Sequence, residues 1–312
     1  MEYRLLGRSG VRVSAIGLGG NQFGAKVDAA GTARIVHHAL DLGVNFIDTA
    51  DVYSQRGRSE EVLGQALQGH WDRVVLATKY RSAMGEGPND KGASRYHMLR
   101  AVEGNLRRLQ TDHIDLLQVH SWDQDTPIDE MMRGLDDLVA SGKVGYIGCS
   151  NFLAWQMCRA NDLAERYGWA QFITVQPHYH MLERGIEREL VPYCQMFHIG
   201  ILPYFPLAGG FLTGKYKEGE APPPGTRGES SPYVQRYFKP ENFAKVRQLT
   251  EWAEARSHSM AELAIAWLLG QPQIPSVIAG VTRVEQVDAN IKAAEWRLTG
   301  EELAEVRKVL EG

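Results

Sequence analysis

Cysteine is scarce in these 312 residues. Only Cys149, Cys158 and Cys194 occur, an odd number with no C-x-x-C spacing. That excludes a disulfide framework or a zinc ribbon and points to a chain kept reduced, as in the cytoplasm. Long apolar runs are missing too: none approaches the ~20 residues that cross a bilayer, and the opening MEYRLLGRSG carries no basic-then-apolar leader. Positive charge is not in excess. Lys plus Arg is 34 against 38 for Asp plus Glu, a formal net charge of −4, which argues against nucleic acid or an acidic membrane as partner. The expectation is a soluble, cytoplasmic protein acting on a small molecule. Nothing in the sequence sets its oligomeric state.

What is present is alternation. Short aliphatic runs at 15–19, 45–49, 73–79, 114–120, 144–150, 172–178, 200–205 and 276–280 read as strands. Between them lie amphipathic stretches, such as 94–109 with Met98, Val102, Leu106 and Leu109 at helical spacing. Strands separated by helices pair in parallel through crossovers. Eight such units in this length predict an α/β fold, a (β/α)8 TIM barrel, better than an open doubly wound sheet. YRLLGRSGVRVSAIG, at the start, predicts a β-hairpin placed to plug the barrel bottom. A long irregular loop is expected after the seventh strand, at about 206–240, where APPPGTRGESSP falls. No linker divides the chain, so 1–312 is expected to be one barrel domain.

Barrels of this kind place their reactive groups at the C-terminal ends of the strands. Asp48 ends the second strand, Lys79 the third and His120 the fourth, and Tyr53 lies in the loop after the second. Taken singly, each has an ordinary explanation as a cap, a solvated charge or a packing residue. Four ionisable groups on one rim suggest a joint chemistry. A phenol is a poor acid at neutral pH unless an ammonium stabilises its anion. A carboxylate beside the ammonium keeps it charged, and a histidine can orient a carbonyl. No residue reads as an activated nucleophile, so the group that attacks carbon is expected from a cofactor.

GLGGNQFG at 17–24 superficially matches a dinucleotide fingerprint, but Gln22 stands where the third glycine belongs, which argues against a Rossmann unit. A His-x-His pair, His178 and His180, lacks a third ligand at a convincing spacing, so no metal is expected.

GVNFIDTADVY, VLATK, IDLLQVH, GYIGCSN and PLAGGFLTGKY together resemble the aldo-keto reductase superfamily over nearly the whole chain. The pattern is most similar to bacterial reductases related to the potassium-channel β-subunit. The resemblance implies an oxidoreductase that uses NADPH to reduce an aldehyde or ketone to an alcohol. The alternative is an NADP(H)-binding regulatory or sensor subunit with little turnover. Carried onto this sequence, Tyr53 becomes the general acid, Lys79 lowers its pKa, Asp48 pairs with Lys79, and His120 orients the carbonyl. Gly20, Asn21 and Asp48 are implied to line the nicotinamide side, with Ser150, Asn151 and Gln176 holding its carboxamide and Tyr204 stacking on its ring. Phe205, Pro206, Leu207, Gly210 and Lys215 would wrap the pyrophosphate. Arg227 matches an arginine that clamps the adenosine phosphate. Gly280, Thr282, Arg283, Gln286 and Asn290, at the last barrel helix, complete the implied nucleotide site. Phe23 and Trp122, with Tyr53 and His120, are expected to form a largely apolar substrate pocket. Ala289 stands where the family often has an acid, which puts one adenine contact in doubt.

Overall fold

The computed structural model describes residues 1–312. Eight parallel strands form one curled sheet: β3 (Ile16–Gly19), β4 (Phe46–Asp48), β5 (Val75–Tyr80), β6 (Ile114–Val119), β7 (Val144–Ser150), β8 (Phe172–Gln176), β9 (Gly200–Ile201) and β10 (Val277–Gly280). Their order, β10-β3-β4-β5-β6-β7-β8-β9, follows the chain with the last strand beside the first. Two backbone bonds close the ring, Ile201 N–H to Gln273 O at 2.6 Å and Ile278 N–H to Pro203 O at 3.3 Å. The fold is the expected barrel. The predicted seventh strand is shorter than expected, because only two residues of 200–205 pair as strand and Tyr204 makes an isolated bridge to His178.

The N-terminal hairpin, β1 (Tyr3–Leu5) with β2 (Arg12–Ser14), is antiparallel. It stoppers one end of the barrel. Leu6 and Val13 are wholly buried in a cluster with Phe46, Ala77, Leu116, Ile173, Leu202 and Ile278. Gly7 makes this approach possible: its φ is +57°, and a Cβ there would lie 2.1 Å from the Ile173 carbonyl oxygen.

That apolar layer also explains the chemistry above it. Side chains two apart on a strand share a face. One step beyond Phe46, Ala77 and Leu116 therefore come Asp48, Lys79 and Gln118, three polar groups delivered toward the same rim by three neighbouring strands. Helices shield the outside. In Arg95–Leu109, capped by the Ser94 side chain on the His97 N–H, the spaced residues Met98, Val102, Leu106 and Leu109 are all buried.

The segment after the seventh barrel strand departs from expectation. Residues 206–240 are not irregular throughout. They hold a 3-10 stretch (Ala208–Thr213) and two four-residue helices (Arg227–Ser230 and Pro232–Gln235). No helix of the chain is long and apolar enough to cross a membrane.

Candidate active site

A cavity of about 610 Å³ opens over the C-terminal strand ends. Beneath its floor lies Lys79, 0% exposed. Its ammonium makes three contacts: Asp48 Oδ2 at 2.7 Å, the Thr49 carbonyl at 2.8 Å and the Tyr53 hydroxyl at 3.4 Å. The other Asp48 oxygen accepts from the side-chain amides of Gln118 at 3.1 Å and Gln176 at 2.8 Å. A buried ion pair is tolerable only when its remaining valences are satisfied in this way. Asp48, Tyr53 and His120 reach the cavity wall, whereas Lys79 acts from below.

Tyr53 is held by unusual backbone. Ser54, Gln55 and Arg56 adopt φ of 54°, 65° and 58°, and Gly57 adopts 112°. Three successive non-glycine residues in the left-handed region cost roughly 1–2 kcal/mol each, so the surrounding structure must hold this turn in place. It sets Tyr53 edge-on to His120, with ring centroids 5.7 Å apart.

Burial raises the Tyr53 pKa above the usual phenol value, and Asp48 adds to the rise, while Lys79 pulls it down. The expected lowering by Lys79 is thus present but outweighed by desolvation, a term that the order of residues does not reveal. Burial, then the charges of Lys79 and Arg81, push His120 down to about 3. His120 is therefore a neutral imidazole at physiological pH. Its Nδ1 lies 3.3 Å from the Ser82 hydroxyl, which leaves Nε2 free for a ligand.

Further round the rim, Ser150 donates to the Gln176 carbonyl at 2.8 Å. Asn151 donates to the His120 carbonyl and the Ser150 hydroxyl and accepts from Tyr204 at 3.0 Å. The Tyr204 ring stacks on His178, with centroids 5.1 Å apart and an interplanar angle of 10°. Gln176 Oε1 receives no hydrogen bond, so acceptor capacity faces the cavity and suits the NH2 end of a carboxamide.

The far wall carries an unpaired cation. Arg227 has no carboxylate within 4.0 Å, only the Phe205 ring at 5.8 Å, and burial lowers its pKa. A half-buried guanidinium without a counter-ion has the capacity to bind an anion. Gly19, Gly20 and Gly280 also line the cavity with bare backbone; a Cβ on Gly280 would stand 3.1 Å from Asn21 Oδ1. The amide-accepting residues, the bare glycines and the lone arginine lining one cavity fit a nicotinamide dinucleotide.

Of the residues expected from the sequence, Gly20, Asn21, Asp48, Ser150, Asn151, Gln176, Tyr204, Phe205, Pro206, Leu207, Arg227, Gly280, Gln286 and Asn290 all line the cavity. Gly210, Lys215, Thr282 and Arg283 do not. Lys215 turns toward the Tyr216 ring, 5.1 Å away, and Arg283 is exposed beside Glu285. Thr282 instead binds Gln286, its N–H donating to Oε1 at 2.7 Å.

Two residues expected at the substrate pocket do not line this cavity. Phe23 is 0% exposed and packs among Leu18, Val27 and Leu63, because its loop folds back under the rim. Trp122 lies outside the cavity wall, edge-on to Phe152 and Trp155.

Sequence reading missed Gln118 and Tyr233. Gln118 could have been found two residues before His120 on the same strand face. Tyr233, in the four-residue helix at 232–235, left no such signal. His178 and His180 sit in a hydrogen-bonded group with Tyr233, Arg236 and Tyr237, their Nε2 atoms 3.1 Å apart. No three His, Cys, Asp or Glu side chains gather as a metal-ion cluster.

Fold and rim define a (β/α)8-barrel protein whose reaction face sets a phenol over a buried lysine–carboxylate pair. Comparison with known proteins makes this specific. The model of the Aldo/keto reductase family matches residues 15–311. An uncharacterized oxidoreductase, YrpG, of Bacillus subtilis (strain 168) is 37% identical over 100% of this chain and 97% of that protein. A probable voltage-gated potassium channel subunit beta of Oryza sativa subsp. japonica is 37% identical, covering 95% and 92% of the two chains. The versiconal hemiacetal acetate reductase of Aspergillus parasiticus is 33% identical, covering 97% and 95%. The chain belongs to the aldo/keto reductase family, and the family together with these relatives supports an oxidoreductase.

Proposed function

We propose that this chain, acting as a single barrel domain, reduces an aldehyde or ketone to an alcohol at the expense of NADPH, with Tyr53 as the acid. The observation that carries the reading is the wholly buried Lys79, bonded at once to Asp48 and to the Tyr53 hydroxyl at the floor of the cavity.

The nicotinamide, when bound, supplies hydride to the carbonyl carbon. Ser150, Asn151, Gln176 and Tyr204 would hold its ring end, and Arg227, Gln286 and Asn290 its adenosine end. Tyr53 gives its hydroxyl proton to the carbonyl oxygen. Lys79 stabilises the phenolate that results, and Asp48 keeps Lys79 protonated and in place. His120 is neutral; with Nδ1 accepting from Ser82, its Nε2–H points a donor at the same oxygen. The preference for NADPH over NADH rests on Arg227, the unpaired cation that an added phosphate would satisfy.

A second reading, a cofactor-binding subunit with little turnover, is favoured by the relative named as a channel subunit. A panel of aldehydes, ketones and sugars, followed by NADPH absorbance, separates the two. Consumption of NADPH with any generic aldehyde supports the enzyme, whereas tight NADPH binding without consumption supports the subunit.

A further inference from the structure

Asp51 lies two residues before Tyr53 and belongs to no part of the mechanism above. It is 0% exposed. Neither carboxyl oxygen has a hydrogen-bond partner of normal geometry, although its backbone N–H donates to the Lys79 carbonyl at 3.2 Å. The charged groups that act on it are Glu60 on the helix that follows Tyr53, Arg108 on Arg95–Leu109 and Lys79 on β5, and its own charge would reach Tyr53.

The cations around it are already matched. All three Lys79 donors are used, by Asp48, Thr49 and Tyr53. Arg108 donates to Glu60 Oε2 at 2.7 Å and to Asn105 Oδ1 at 2.8 Å, and Thr78 donates to Glu60 Oε1 at 2.5 Å. The buried charges thus pair one to one, Asp48 with Lys79 and Glu60 with Arg108. An ionised Asp51 would be a third anion with no cation of its own and only the poorly aligned Val52 N–H as donor, the arrangement a buried carboxyl avoids by keeping its proton.

We propose that Asp51 is a positioning residue, held as a neutral acid under the reaction rim, and that its ionisation closes the alkaline side of the reductive reaction. On ionisation its proton leaves to solvent, and an unmatched negative charge remains beside the Lys79–Tyr53 pair. That charge draws on Lys79 and makes Tyr53 a weaker acid, since a negative charge on Asp51 raises the Tyr53 pKa. Burial first, then Glu60, push Asp51 up to about 8, against the partial pull of Arg108, the Val52 N–H and Lys79. The proposal rests on Tyr53 being the acid.

The test compares the pH dependence of turnover, with NADPH and 4-nitrobenzaldehyde, in wild type and Asp51→Asn. A group with its midpoint near 8 is about tenfold less protonated at about pH 9 than at about pH 7. Wild-type turnover should therefore fall about three- to tenfold over that range. Asp51→Asn should stay within about twofold of wild type at about pH 7 and remain flat to about pH 9. A variant that keeps the wild-type decline, or a wild type that shows none, overturns the proposal. Infrared spectra need no activity. Wild type should show a protonated carboxyl band near neutrality that vanishes on alkaline titration and is missing from Asp51→Asn, since burial raises Glu60 and Asp115 as well; a band that persists unchanged in the variant, or no band in wild type near neutrality, also overturns the proposal. If Tyr53→Phe kept its turnover, the reading of the mechanism would fail, while the infrared result would still report on Asp51 itself.

Discussion

Lys79→Met asks most of the buried pair. The substitution keeps length and apolar bulk but removes the ammonium from a place with no access to water. Asp48 then loses its cation at 2.7 Å and retains only the amides of Gln118 and Gln176. Removing one partner of a buried pair costs about 3–5 kcal/mol. Two amide donors remain, so the lower end applies, about 3 kcal/mol. In a chain of this length, that corresponds to a melting temperature lower by about 4–5 °C. Turnover should fall at least ~10²-fold at neutral pH, because burial already raises the Tyr53 pKa and Lys79 is the group holding it down. The double variant Asp48→Asn/Lys79→Met removes both charges and should melt at or above the single Lys79 variant. Asp48→Asn alone should slow turnover less than Lys79→Met, since Asp48 acts through Lys79. Calorimetry and NADPH-coupled assays on the four proteins decide it. A Lys79→Met protein melting within about 1 °C of wild type would refute the energetics, and an Asp48→Asn protein slower than Lys79→Met would refute the division of roles.

Arg227→Ala should weaken NADPH binding by about 1–3 kcal/mol, the range of a charge-assisted hydrogen bond, and NADH binding far less; tryptophan quenching measures both, and equal losses would mean that Arg227 does not read the extra phosphate. Acid should destabilise the fold through three histidines, His120, His178 and His180, which burial lowers to about 3, about 4 and about 2. Their folded values lie below the unfolded value of about 6.5, so their contribution is complete above about pH 6.5 and is lost as pH falls toward 4 and below; urea midpoints that stay constant between about pH 7 and about pH 4 would contradict this. Gly57→Ala should cost at least about 1 kcal/mol, because φ is +112° and the added carbon would meet Arg108 Cδ at 2.4 Å; a thermal melt unchanged from wild type would show that the left-handed turn relaxes freely.

The barrel was legible because its strands are short aliphatic runs between amphipathic stretches, and the period of two then carries Asp48, Lys79 and His120 to one rim. Other features depend on which way a side chain turns. Phe23 sits in a glycine-rich loop that looks like cavity wall, yet that loop folds back and buries the ring. The helices at 227–230 and 232–235 are four residues each and follow a proline run, so they leave no periodic trace. Tyr53 shows the third kind of gap. The sequence names its neighbours, but the direction of its pKa depends on how much water reaches the phenol. Asp51 was unremarked for the same reason, since a carboxyl in a motif says nothing of its hydrogen-bond partners.

The central claim is that Tyr53 protonates the substrate oxygen, and Tyr53→Phe tests it most directly. The ring and its edge-on packing against His120 are kept, and only the hydroxyl above Lys79 is lost. Single-turnover reduction of 4-nitrobenzaldehyde, with NADPH binding measured on the same preparation, should show turnover lower by at least ~10²-fold and the NADPH dissociation constant within about twofold of wild type. Turnover near that of wild type with NADPH bound would contradict the account.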